Sequence, residues 1–145
     1  MNNRGFVTES VVLCDDIRQE NTGKAILIGV YSGDIVISSI PARLGISLWL
    51  QGRATESAHD LSVRALLYGA APEGSAKPAV TPGVAINVEP GNEFTVALTG
   101  IPTEITEPGY LAIQLKYGDR DWTELIRKRI TLSSGDSSSS EQPPQ

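Results

Sequence analysis

The chain is poor in the residues that most small-protein chemistry needs, with one cysteine, Cys14, and one histidine, His59. A lone cysteine closes no intrachain disulfide, and one Cys with one His cannot assemble a zinc site. Cys14 ends the apolar run Val12-Leu13-Cys14, where a thiol behaves as a small buried hydrophobe, and His59 stands in a polar turn between two strands. A catalytic Cys–His pair would require these two to meet. Long apolar runs are missing too. Nowhere do about 18 apolar residues follow one another, and Glu9 arrives before a signal-peptide core can form. These absences predict a cytoplasmic protein with no membrane contact. There is no Gly-x-Ser-x-Gly elbow and no dinucleotide fingerprint, and Gly23-Lys24 is followed by Ala25 where a phosphate loop needs a hydroxyl. No cofactor is implied.

Basic charge is also scarce, with 12 Lys and Arg against 17 Asp and Glu and a net charge of −5. Phosphate binding draws on clustered cations, so no nucleic-acid partner is expected. The densest basic stretch, Arg127-Lys128-Arg129, reads as the solvated face of a strand. What remains is ordinary globular composition, 40% apolar and 20% charged, in a length that suits one domain. Residues 133–145 form a Ser- and Pro-rich acidic stretch with nothing apolar to repay ordering, and are expected to be disordered. They hold Asp136 and Glu141, so the domain proper, residues 1–132, lies nearer neutrality.

Within that domain the apolar period is two. Leu111, Ile113, Leu115 and Tyr117 alternate with Tyr110, Ala112, Gln114 and Lys116. Phe94, Val96 and Leu98 do the same, as do Leu61, Val63, Ala65 and Leu67, then Ile46, Leu48 and Leu50, and more briefly Val84, Ile86 and Val88. Lys24–Tyr31 is apolar on both faces and is read as a central strand. Gly- and Pro-bearing turns separate the runs, among them Asn21-Thr22-Gly23 and Pro90-Gly91-Asn92. Val11–Glu20 is read as strand, because its apolar residues do not recur with a helical period. The pattern predicts an all-β fold, an antiparallel two-sheet sandwich of immunoglobulin-like character with about eight or nine strands, in which Ala70–Pro82 crosses between sheets. Glu107-Pro108-Gly109-Tyr110 partly matches the tyrosine corner of such sandwiches.

The densest polar group is Cys14-Asp15-Asp16-Ile17-Arg18-Gln19-Glu20, followed by Gly23-Lys24 and by Ile28-Gly29-Val30-Tyr31-Ser32-Gly33-Asp34-Ile35. Over residues 13–41, ending in Ile40-Pro41, the chain resembles an uncharacterised bacterial family of small proteins. That family shares a Cys-Asp-Asp-x-Arg-x-Glu opening, a Gly-Lys hairpin and an Ile-Gly-Val-Tyr-x-Gly-Asp-Ile stretch. The resemblance implies a compact β-sandwich and supplies no catalytic residue.

Three readings of this segment follow from its chemistry. On a strand Asp16, Arg18 and Glu20 share one face, so Arg18 can pair with either carboxylate. Asp15, Asp16, Glu20 and Asp34, if gathered at one end, could offer oxygen ligands to calcium. Asp16 and Glu20 could also serve as a general acid and base of a hydrolase. Trp49, beside Gln51 and Arg53, is a candidate anchor for a partner. The binding candidates are therefore Asp15, Asp16, Arg18, Glu20, Tyr31, Asp34 and Trp49. The function expected is a non-enzymatic protein-binding or structural module, using surface loops or an exposed sheet edge to pair with another protein or a second copy.

Overall fold

Alternation becomes strand throughout the computed structural model, which describes residues 5–69, 77–79 and 83–133. Among the described residues every regular element is a strand. They run β1 (Phe6–Cys14), β2 (Asp16–Gln19), β3 (Ala25–Ile28), β4 (Ile35–Ile37), β5 (Ala42–Ala54), β6 (Ala58–Gly69), β7 (Lys77–Ala79), β8 (Gly83–Val88), β9 (Glu93–Ile105), β10 (Gly109–Tyr117) and β11 (Trp122–Leu132). The described residues hold eleven strands where eight or nine were expected, and β2, β4 and β7 span only three or four residues, too few to show a period.

Strands β1, β5 and β9 form one antiparallel sheet in that order. A larger sheet runs β4-β11-β10-β6, with β7 and β8 both on the far edge of β6, and β2–β3 stand apart as a hairpin. The larger sheet is not purely antiparallel: β4 pairs with β11 in parallel, Ile35 opposite Ile130. The Ala70–Pro82 connection lies mostly outside the described residues, but β7 and β8 join the same sheet as β6, so it does not cross between sheets. The expectation for residues 133–145 also lies outside them, except at Ser133, whose N–H donates to the Ile37 carbonyl at 2.8 Å.

Both larger sheets turn their alternate apolar residues to one core. Ile46, Leu48, Leu50, Phe94 and Val96 come from the first, and Leu61, Val63, Leu111, Ile113 and Leu115 from the second. Each such side chain contributes roughly 1.5–3 kcal/mol on burial. Three rings bind the sheets at one end: Phe6 lies 5.4 Å from Tyr117 and 6.1 Å from Phe94. A side chain at Gly52 would run into the Phe94 ring. The Tyr117 phenol donates to the Glu56 carbonyl at 2.6 Å. That backbone-seeking phenol is the one expected of Tyr110, which instead stands 40% exposed on the outer face, 5.7 Å from the Arg127 guanidinium.

Midway along the first sheet, Thr99 and Gly100 of β9 face the single residue Ser47 of β5, a β-bulge. Gly100 takes the left-handed conformation, φ 67°, and the extra residue lets both Leu98 and Ile101 turn inward. Ser47, fully buried, fastens this spot: its hydroxyl donates to the Asp15 carbonyl and accepts the Gly100 N–H, each at 3.2 Å.

Candidate functional site

Strand β1 breaks at Asp15, and that break aims everything downstream. The Asp15 N–H donates to the carbonyls of Ile28 and Gly29 at 2.9 and 3.1 Å, starting the β2–β3 hairpin. Its carbonyl is the one held by Ser47. Gly29 takes φ 71° and leaves room for the Asp15 carboxylate where a Cβ would sit. The hairpin therefore leaves the plane of the first sheet and packs against the outward faces of β5 and β9. Ile17 and Leu27 are paired on its inward side, Ile17 buried, while Asp16, Arg18, Ile26 and Ile28 share the outward one.

This hairpin is where the central strand was expected over Lys24–Tyr31, and that expectation is corrected. Among the described residues β3 pairs with β2 alone, and Ile26, Ile28 and Val30 are 45%, 41% and 51% exposed. An apolar run covered on both faces and one presented to solvent have the same period, so the sequence could not separate them.

Between hairpin and sheet lies an open groove of about 750 Å³. Trp49 and Gln51 of β5 contribute to its walls, as do Thr95–Leu98 of β9. Gln19 and Gly23–Ala25 line it from the hairpin. Trp49 is half-buried there rather than standing free. Arg53, its neighbour two pairs further along β5, is held by Glu9 at 3.2 Å, by Glu93 at 2.9 Å and by the Gly91 carbonyl at 3.0 Å.

The polar candidates disperse. Asp15 accepts the Tyr31 hydroxyl at 2.8 Å; burial and then this bond push the Tyr31 phenol up to about 12, since ionising it would give up a proton shared with a carboxylate. Asp16 accepts Arg18 Nε at 3.1 Å, and that bond, with the Ile17 N–H, holds its carboxyl below the usual range. Arg18 thus chooses Asp16, and no ion pair joins it to Glu20. Asp34 meets Arg129 at 3.0 Å across the start of the parallel β4–β11 pair. Among the described residues no three of His, Cys, Asp and Glu gather as a metal would need. The Cys14 thiol is raised by burial and bonds to the Asp16 carbonyl at 3.4 Å; His59 pairs with Asn87 at 2.8 Å.

Of the basic stretch, Arg127 and Arg129 lie on the outer face of the larger sheet, while Lys128 pairs with the core-facing Leu111. Arg127 makes two bonds to Glu124, at 2.9 and 3.0 Å, and lies 4.7 Å from the Tyr68 ring; Arg64 sits 4.0 Å over Trp122. Two of its three cations, Arg127 and Arg129, are thereby ion-paired within the sheet.

Ser47, Thr95 and Ala97 were not singled out by sequence, and Lys24 was named only within its Gly-Lys turn. The strands of Thr95 and Ala97 were legible, but only the hairpin's direction places them with Lys24 around one groove.

No family model and no curated protein matches the chain. Among solved structures it is similar to a β-glucosidase from Erythrobacter marinus at 13% identity and a TM-score of 0.42, covering 86% of this chain and 15% of the enzyme. That likeness carries no functional argument. No helix among the described residues is long and apolar enough to cross a membrane.

Proposed function

We propose that the chain is an immunoglobulin-like β-sandwich module that binds another protein without performing chemistry, receiving an extended segment of it along the free edge of β9. The observation that carries this reading is the convergence of that edge with the groove. Among the described residues β9 ends its sheet, hydrogen-bonded to β5 on one side only, and Thr95–Leu98 line the groove beside Trp49. An added strand gains affinity from main-chain bonds and selectivity from alternate side chains entering such a groove. A cytoplasmic setting fits the single free thiol. The calcium and hydrolase readings find less support, because Asp15, Asp16 and Asp34 each hold a partner of their own.

A random-peptide display library selected against the full chain tests the reading. Selected peptides are expected to shift the backbone amides of Thr95–Leu98 and the Trp49 indole in NMR titrations, and Trp49→Ala to weaken them at least several-fold. Failure to enrich any peptide, or shifts confined to another face, would overturn it.

A second reading, self-association, is favoured by the hairpin's outward face. Ile26 lies opposite Arg18 and Ile28 opposite Asp16, so a two-fold axis through the apolar stripe sets the Arg18 row of one copy on the Asp16 row of the other. Sedimentation equilibrium should then show a dimer that Ile28→Lys dissociates; a wild-type monomer at all concentrations removes this reading.

A further inference from the structure

We infer that the segment received at the β9 groove carries an acidic side chain, read by Lys24, on the same face as an apolar residue that contacts Trp49. The inference rests on the reading of the groove as a strand-addition site and names the chemistry that site selects.

Lys24 closes the hairpin turn, where its carbonyl accepts the Glu20 N–H at 2.8 Å, and among the described residues it is the one charged residue lining the groove. Among the described residues it has no ion-pair partner. Glu20, fixed in the same turn, is the nearest acid in sequence, yet the two side chains make no ion pair. The acids further along the outer face of the same sheet, Glu9 and Glu93, are both taken by Arg53. In a chain of net charge −5, the groove thus keeps an unspent cation beside Trp49 and the amide of Gln51.

The geometry of a strand turns this into a pattern. Side chains of an added strand alternate between faces, so residues two apart, roughly 6.5–7 Å, point the same way. A carboxylate for Lys24 and an apolar group for Trp49 must therefore stand an even number of residues apart. Both are exposed or half-exposed contacts, so the carboxylate is worth about three- to fivefold in affinity, and salt weakens it.

The closing experiment uses the peptides selected on the full chain. Asp or Glu at an even spacing from a large apolar residue is expected among them. Replacing that acid by its amide, or Lys24 by Gln, should each cost about three- to fivefold, and the two together no more than one alone. Lys24→Glu should reverse the preference toward a lysine at that position. Amidating the peptide's C-terminus should change nothing, since the contact is assigned to a side chain. Peptides that shift the Thr95–Leu98 amides but show no preference for an acid, or bind Lys24→Gln unchanged, overturn the inference and leave the strand-addition reading standing. Loss on C-terminal amidation alone overturns it as well. Peptides that never reach β9 overturn both.

Discussion

Tyr31 donates its hydroxyl to the Asp15 carboxylate at 2.8 Å, closing a loop that begins and ends at the break between β1 and β2. The Tyr31 N–H donates in turn to the Leu13 carbonyl at 2.9 Å. Entry to and exit from the β2–β3 hairpin are thus tied side by side. The hairpin is consequently held over the first sheet by its base, and the groove exists because that base is fixed.

Alkaline titration should reveal this bond. The Tyr31 phenol rises from about 10 in an unfolded chain to about 12 in the folded one. A folded pKa raised above the unfolded value means stability that is whole below pH 10 and declines as pH climbs toward 12. Tyr117 is raised as well, by burial, so wild type should lose stability at both sites. Tyr31→Phe should flatten part of that decline in pH-dependent urea melts. An unchanged slope would mean that the hydroxyl does not titrate through the folded state.

Gly29 and Gly109 should both reject alanine, for different reasons. At Gly29 the backbone is left-handed, φ 71°, and a Cβ would take the space of the Asp15 carboxylate. Gly29→Ala should cost about 1–2 kcal/mol from conformation alone and loosen the hairpin. At Gly109 the conformation is ordinary, but a Cβ would strike the Tyr68 carbonyl on β6. That contact is backbone, which cannot swing aside, so Gly109→Ala should be the more damaging. Denaturant midpoints rank the two, and the reverse order would count against the close approach at Gly109.

The difference between these glycines marks where sequence was readable. Alternation placed β5, β6, β9 and β10, because Ile46, Leu48, Leu50, Leu61, Val63, Phe94, Val96, Leu111, Ile113 and Leu115 each face one core with a period of two. It placed the Asn21-Thr22-Gly23 turn for the same kind of local reason, Gly23 having φ 91°. It misjudged Lys24–Tyr31, since a period says that a strand has two faces and not what covers them. Gly109 was noted within a partial tyrosine corner, whereas it allows the close approach of two strands distant in sequence. The polar group at 13–34 stood out in sequence as the densest of the chain. Its residues meet Arg129, Ser47 and the groove through tertiary contacts that no local pattern encodes.

Tyr117→Phe isolates one such contact. The ring stays packed with Phe6 and Phe94, while the Glu56 carbonyl loses its phenol donor. The expected loss is about 1 kcal/mol, or roughly 3 °C in melting temperature for a chain of this size. Tyr117→Ala should cost about 3–5 kcal/mol because it also opens a cavity where the two sheets meet. If both variants lose the same amount, the ring contributes nothing beyond its hydroxyl, against the packing seen here.

Calcium offers the sharpest check on the dispersed carboxylates. A cation that binds the folded chain alone raises its stability by about 2.7 kcal/mol at one hundred times its dissociation constant. To hold one, Asp15 would have to release Tyr31, Asp16 release Arg18, and Asp34 leave Arg129. Each separation gives up a charge-assisted bond, and Asp34 would also loosen the start of the parallel β4–β11 pair. Millimolar calcium should therefore leave the melting temperature where sodium chloride of equal ionic strength leaves it. A specific rise that Asp15→Asn and Asp34→Asn both abolish would show that these residues converge after all, and would move the functional centre from the β9 groove to the hairpin base.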